Sequence, residues 1–299
     1  MAAGPLISVI IPTRHRNEDL KRCLEALQPE NLEMDPSSAA PGNRTVKRRD
    51  FLYEVVVTDD GTDSTAETML RKVFPWVQWV RGPRRGPAAN RNFGANHACG
   101  EWLLFLDDDC VPLAGWLEAY AQATVTFAEY NVLEGRTGAP GPRLRGDHES
   151  PLNPTGGLLW SCNFGIKRQL FLDLGGFDET FLFSLEDMDL HTRLEKCGQL
   201  IKFLPDAYVE HAWRPRRGVQ YCLSMTHSIE CFTAKHPEKQ LMFNKTYGVR
   251  RMIKILLVEF PRNLWRYRDL GSVRVLYLDL LTTIHFTLNR IRLRITKIR

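Results

Sequence analysis

Along the first third of the chain, short apolar runs alternate with segments whose hydrophobic residues recur at helical spacing. Leu6-Ile7-Ser8-Val9-Ile10-Ile11 reads as a buried strand stopped by Pro12. Asn17 to Leu27 places Leu20, Cys23, Leu24 and Leu27 on one helical face, with Asn17 suited to cap it. Leu52 to Val57 is a second strand, followed by a helix starting near Ser64 or Thr65. Val77 to Val80 is a third strand, Ala88 to Cys99 a helix, and Trp102 to Leu106 a fourth strand. This βαβαβαβ order predicts an α/β domain with an open, mostly parallel twisted sheet flanked by helices.

Two stretches break the alternation. Pro29 to Asp50 is rich in Pro, Ser, Ala and Gly, ends in Lys47-Arg48-Arg49, and reads as a mobile surface loop. Gly135 to Gly157 is rich in Gly and Pro and has the length of an active-site lid. Near the C-terminus, Val273, Leu276, Leu280, Leu281, Ile284, Leu288, Ile291, Ile295 and Ile298 fall on one helical stripe, with Arg290, Arg294 and Lys297 off it. Asp279, His285 and Arg290 keep this tail short of the ~20 apolar residues that span a bilayer. The stripe either lies in a membrane interface or packs on protein. These patterns divide the chain into a domain at 1–215 and a basic helical extension at 216–299.

Composition narrows the class. With 43% hydrophobic and 25% charged residues the chain is globular rather than disordered. Seven scattered cysteines without a CxxC pair fit reduced thiols in a cytoplasmic setting, not a disulfide scaffold or zinc site. The N-terminus lacks a signal-peptide pattern. The net charge of +5 is unevenly placed: residues 250–299 hold twelve Lys/Arg against three Asp/Glu, so the tail is +9 and the rest −4. Such a tail suits an anionic surface, and its long aliphatic stripe favours lipid or protein over nucleic acid.

The sharpest chemical signal is Asp107-Asp108-Asp109, which ends the strand Trp102–Leu106. Ligands of open α/β sheets bind at this carboxyl edge. Three adjacent carboxylates repel one another, and Mg²⁺ or Mn²⁺ held together with substrate phosphates relieves that repulsion. The first two strands end in Pro12-Thr13-Arg14 and Thr58-Asp59-Asp60-Gly61-Thr62. Neither carries GxGxxG, so a dinucleotide fingerprint is missing. Asp59 can accept a hydrogen bond from a base imide or ribose hydroxyl, or simply cap its turn.

Taken together, Ser8–Thr13, Val56–Thr62, Asn90-Arg91-Asn92-Phe93-Gly94, Leu106–Asp109, Gly175-Gly176-Phe177-Asp178-Glu179 and Glu186-Asp187 occur in the order and approximate spacing of family 2 glycosyltransferases. The sequence resembles that family over about residues 6 to 213. The resemblance implies a GT-A fold, a nucleoside-diphosphate sugar donor, a divalent metal cofactor (Mn²⁺ or Mg²⁺) and inversion at the anomeric carbon. It implies nucleotide-sugar contacts from Pro12, Thr13, Arg14, Asp59, Asp60, Arg91, Asp107 and Asp108. Metal ligation would fall to Asp107, Asp109 and His211, and catalysis to Asp187 beside Glu186. Ser184-Leu185-Glu186-Asp187 also fits a helix capping box. Trp160 and Trp213 are candidate platforms for a sugar or acceptor.

The expected partners are a nucleotide-sugar donor with uridine favoured, a glycan or lipid-linked acceptor, and a membrane surface met by the tail, peripherally on its cytoplasmic face. Self-association is open and nucleic acid is not expected. A sugar nucleotidyltransferase would need a glycine-rich loop where Pro12-Thr13-Arg14-His15-Arg16 stands. A non-catalytic surface-binding protein would not need every acidic position intact.

Overall fold

The structure is a computed structural model that describes residues 7–28, 46–48, 51–239 and 247–298. Most of the segment expected to be a surface loop, Pro29–Asp50, lies outside the described residues. So do the side chains of Arg290, Ile291, Arg294, Ile295, Lys297 and Ile298. The chain forms two compact units. The first is Met1–Pro140, Pro151–Leu182 and Glu186–Ala212; the second is Gly141–Ser150, Phe183–Leu185 and Trp213–Arg299.

In the first unit, strands β1 (Ile7–Thr13), β3 (Phe51–Asp59), β4 (Gln78–Arg81) and β5 (Trp102–Leu106) alternate with helices α1 (Asn17–Leu27), α2 (Glu67–Val73) and α3 (Pro87–His97). They pair in parallel in the order β4-β3-β1-β5. Short β2 (Val46–Arg48) adds antiparallel to β3. β1 runs through Pro12 to Thr13, and α1 begins at Asn17. The Asn17 amide reaches Ser64 and Thr65 rather than capping its own helix.

Beyond β5 the sheet changes sense. β6 (Cys110–Pro112), α4 (Trp116–Thr126), β7 (Val132–Gly138), β9 (Asn163–Lys167), α5 (Arg168–Asp173), α6 (Glu186–Lys196) and β10 (Ile201–His211) complete the unit. The sheet continues β5-β9-β7-β10-β6, with β9 antiparallel to both neighbours, β10 parallel to β7, and β6 antiparallel to β10.

Side-chain alternation explains why the central strands need two helical layers. Val9, Ile11, Val55, Val57, Leu104 and Leu106 enter one core, whereas Ile10, Val56, Leu103 and Phe105 enter the other. The second core is centred on Phe105, Phe164, Phe171 and Phe177, whose ring centroids lie 5.0–6.1 Å apart. Gly94 lets α3 approach closely, since a Cβ there would meet Ile10 Cγ2 at 2.6 Å.

The Gly135–Gly157 segment is held by hydrogen bonds rather than left as an open lid. In the first unit the buried Glu134 carboxylate accepts from Asn153 Nδ2 and from the amides of Gly157, Leu158 and Leu159. Asn153 also exchanges backbone bonds with Thr137. In the second unit the Gly146 amide donates to Asp269.

The second unit pairs β8 (His148–Glu149) with β11 (Arg214–Pro215) and carries α7 (Val219–Lys235), α8 (Tyr247–Lys254), a π-helical turn (Ile255–Glu259), α9 (Phe260–Tyr267) and α10 (Leu270–Ile298). The face α10 buries differs from the expected stripe. Ser272, Val275, Leu278, Asp279, Thr283 and Phe286 are buried, whereas Val273, Ile284 and Leu288 are exposed. The reason is electrostatic: Asp279 accepts ion pairs from Arg216 at 2.6 Å and Arg251 at 3.5 Å, which turns that polar face inward. No described helix is long and apolar enough to cross a membrane.

Candidate functional site

The carboxyl ends of β3, β1 and β5 open at one edge, with Thr13 in register with Asp59. Asp60 N–H donates to the Thr13 carbonyl at 2.9 Å, and Asn90 of α3 donates to the Thr58 carbonyl at 3.0 Å. These bonds fix the loop ends to one another before any ligand arrives.

The acidic triplet is distributed among distinct partners. Asp107 takes Arg91 Nη2 at 2.6 Å. Asp108 accepts from Thr13 Oγ1 at 2.7 Å and Arg16 Nη1 at 3.3 Å. Asp109 takes Arg16 Nη1 at 2.6 Å and faces His211 Nε2 at 3.2 Å. Burial pushes Asp108 up to about 7, with the Thr13 hydroxyl opposing and the Asp109 charge adding to the rise. The triplet is therefore not a solvated acidic turn. Asp108, expected to touch nucleotide, is turned inward onto Thr13 and Arg16. Thr13, expected in the same pocket, spends its hydroxyl on Asp108. Arg16 was not foreseen; its place two residues beyond Arg14, on the loop leaving β1, was the available signal.

Arg91 differs more sharply from expectation. Its guanidinium is only 5% exposed and bridges Asp107 to Glu186 Oε1, the latter at 3.0 Å. It also lies 5.8 Å from the centroid of Phe177. In this structure its two terminal nitrogens are engaged by carboxylates, so it ties the triplet to α6.

At the start of α6, Glu186 is buried, while Asp187 keeps a partial opening to solvent although protein packs most of its sides. That packing pushes the Asp187 carboxyl up to about 7; the Glu186 charge adds to the rise, and the Met188 and Ser161 amides and Arg91 oppose it. The capping box does not form: Ser184 Oγ donates to Met225 Sδ, and Asp187 Oδ1 accepts from the adjacent Met188 amide at 2.8 Å. Leu185, just before the helix, adopts φ of +72°, strained for a leucine.

Among the described residues, Asp109, Cys110 and His211 bring one ligand atom each within 4.8 Å of the others. Cys110 and His211 are direct cross-strand partners. His211 Nδ1 lies 3.2 Å from the Ala212 carbonyl, which can only accept, so in the neutral ring Nε2 presents a lone pair toward Asp109. A lone pair against a carboxylate calls for a proton or cation between them. The donor set of carboxylate and imidazole therefore fits a divalent ion. Cys110 was not foreseen in this cluster.

Asp59 and Asp60 behave differently. Asp59 is buried and its oxygens accept from the Gly61 amide at 2.7 Å, the Ala66 amide at 2.6 Å and Trp79 Nε1 at 3.3 Å. This is the turn-capping role. Asp60 accepts from the Arg84 amide at 2.8 Å, and burial raises its carboxyl above the usual range. Gly82 leaves room beside it, since a Cβ would meet Asp60 Oδ1 at 2.2 Å. Arg84 Nη2 reaches the Gly61 carbonyl at 3.1 Å. Arg14 is exposed and acts on Asp60 only through its charge. Pro12 is the penultimate residue of β1.

Trp160 stands next to Ser161, whose amide acts on Asp187, and its indole donates to the Leu152 carbonyl at 3.3 Å. Trp213 belongs to the second unit and donates to the Gly141 carbonyl at 3.1 Å.

The profile of the family described as glycosyl transferase family 2 matches residues 8–171. A pre-mycofactocin glycosyltransferase of Mycobacterium tuberculosis (strain ATCC 25618 / H37Rv) is 28% identical over 227 residues, which cover 70% of this chain and 43% of that protein. The chain thus spans less than half the length of that curated relative. Among solved structures, GalNAc-T7 with UDP, GalNAc and Mn²⁺ matches with a TM-score of 0.51 at 19% identity, over 71% of this chain and 44% of that one. The mannosyltransferase PcManGT from Pyrobaculum calidifontis, in complex with GDP-Man and Mn²⁺, matches with a TM-score of 0.50 at 18% identity, over 95% of this chain and 74% of that one. At these identities the likeness is one of fold, the GT-A fold.

Proposed function

The chain belongs to glycosyl transferase family 2, and on that premise we propose an inverting, metal-dependent glycosyltransferase acting on a nucleoside-diphosphate sugar and a hydroxyl of a glycan or lipid-linked acceptor. One observation carries the reading. Arg91 links Asp107 of the triplet to Glu186, so one buried ion-pair chain runs from the proposed diphosphate edge to the residue next to the proposed base, Asp187.

In this reading Asp109 and His211, with Asp107 nearby, hold a Mn²⁺ or Mg²⁺ ion. When bound, that ion supplies positive charge to the departing diphosphate. Asp187 accepts the proton of the attacking acceptor hydroxyl, and the sugar–phosphate bond breaks on the opposite face of the anomeric carbon. A carboxyl held near 7 by its surroundings can take that proton at neutral pH. Trp160, adjacent in sequence to a group acting on Asp187, is the better placed acceptor platform. Asp60 and Arg84, joined through the Arg84 amide, are the proposed contacts to the nucleobase, and uridine is the proposed base. The proposed site for peripheral membrane contact is the second unit.

The deciding measurement is thermal stability of the protein with a panel of nucleotide sugars, in Mn²⁺ and in chelator. A donor at a hundred times its Kd adds about 2.7 kcal/mol. The expected result is a donor shift that needs Mn²⁺ and that His211→Ala weakens at least tenfold in Mn²⁺ affinity. Equal shifts in Mn²⁺ and in chelator would refute the metal assignment.

The two neighbouring aspartates give a second test. Asp59→Ala removes the acceptor for two buried amides and an indole, at a cost of about 1–3 kcal/mol in stability. Asp60→Ala is expected to cost less stability and to weaken donor binding about tenfold. The reverse pattern in urea unfolding and donor titration would exchange their roles.

A further inference from the structure

We infer that the Tyr247–Leu270 segment of the second unit is an interfacial element that docks on an anionic lipid bilayer. The surface is built from other residues than the α10 stripe that hydrophobic spacing singled out, and it rests on residues of the second unit alone. It therefore stands or falls independently of the donor-site reading.

The segment is a continuous helical run of α8, the π turn and α9 that wears its apolar residues outward. Its inward positions are modest: Gly248 and Ile255 are buried, and Met252, Phe260, Asn263 and Tyr267 are partly covered. Facing solvent are Val249, Ile253, Leu256, Leu257, Val258, Leu264 and Trp265, between 41% and 77% exposed, and Leu270 follows at 86%. A water-soluble helix places such residues on its buried face. This one keeps one fully buried large aliphatic, Ile255, and leaves its bulkiest ring, Trp265, outside. So concentrated an exposed apolar surface marks an interaction site.

Charge selects the occupant. Residues 247–270 hold six Lys/Arg against two Asp/Glu. Arg250, Lys254, Arg262, Arg266 and Arg268 are exposed among the apolar residues. The two carboxylates are engaged within the unit, Glu259 with Arg251 at 2.7 Å and Asp269 with the Gly146 amide at 2.9 Å. A second copy of this chain would bring the same excess of cations to the contact and repel it. An anionic leaflet matches it: aliphatic side chains and the indole enter the headgroup boundary while guanidinium groups remain at phosphate level. The length also fits, since no described helix crosses a bilayer and a surface-lying element need not.

The test is vesicle flotation of the full chain with neutral phosphatidylcholine and with vesicles containing about a third anionic phosphatidylglycerol, alongside light scattering. The expected result is flotation with the anionic vesicles, suppressed by high salt. Leu257→Asp/Trp265→Asp should reduce binding at least tenfold, and Arg262→Glu/Arg266→Glu should abolish the preference for anionic lipid. Both variants should keep the Mn²⁺-dependent donor shift, which shows that they fold. Unchanged flotation of both variants, or no flotation of the parent, overturns the inference. So does a parent dimer that Leu257→Asp/Trp265→Asp converts to a monomer, which would assign the surface to self-association.

Discussion

Asp187→Asn is expected to lower turnover by at least about 10³-fold, leave donor binding intact, and make the protein more stable than the parent at pH 8. The first effect follows from removing the proton acceptor while keeping the shape of the side chain. The second follows because the triplet and Arg91 are untouched. The third follows from linkage. Burial and the Glu186 charge hold Asp187 at about 7 in the folded protein, above its value in the unfolded chain. Between roughly pH 4 and 7 the folded state therefore binds more protons than the unfolded state, and stability falls as pH rises through that window.

Above pH 7 the parent carries the full penalty of an ionised, poorly solvated carboxylate, which asparagine lacks. With allowance for its partial opening to solvent, the gain at pH 8 is on the order of 2 kcal/mol, vanishing by pH 4. The same ionisation sets the acid limb of kcat/KM, expected near pH 7 in the parent. Urea unfolding at two pH values with a pH–rate profile reads both. A variant that remains active, or an acid limb near pH 4, would move the base elsewhere.

The parallel half of the sheet was legible because each strand there is a short, doubly buried apolar run between turn residues. Trp102–Leu106 matches β5 residue for residue, and the Val77–Val80 run lies one position from β4. The antiparallel half was not. β9 reads Asn163-Phe164-Gly165-Ile166-Lys167, too short and mixed for periodicity, and it inserts between β5 and β7 through long-range pairing.

At the site, chain order revealed which carboxylates gather but not which cation each would choose. Arg16 and Arg91 lie far from their partners in sequence, and only the sheet brings them together. Asp59 and Asp60 are neighbours with opposite duties, because one points into the turn and the other across to Gly82. The α10 stripe shows the same limit: both of its faces are apolar enough to bury. The pairing of Asp279 with Arg216 and Arg251 decides which one turns inward.

Arg91→Met is expected to destabilise the protein by about 3–5 kcal/mol at pH 7.5, more than any surface substitution in the molecule. The guanidinium lies between Asp107 and Glu186, whose side chains are 25% and 7% exposed. Forming such a buried triad gains little over an apolar core, but deleting its centre strands two carboxylates.

Arg91→Lys separates charge from geometry. An ammonium group neutralises one carboxylate but cannot span both, so about half the loss should remain. Because the bridge also holds the start of α6, turnover should fall in both variants, with donor binding less affected in Arg91→Lys. Urea unfolding midpoints read the stability, and donor titration with single-turnover transfer reads the function. A cost under 1 kcal/mol would mean that the two carboxylates find water or another cation once the arginine is gone. The link between the metal edge and the start of α6 would then be incidental.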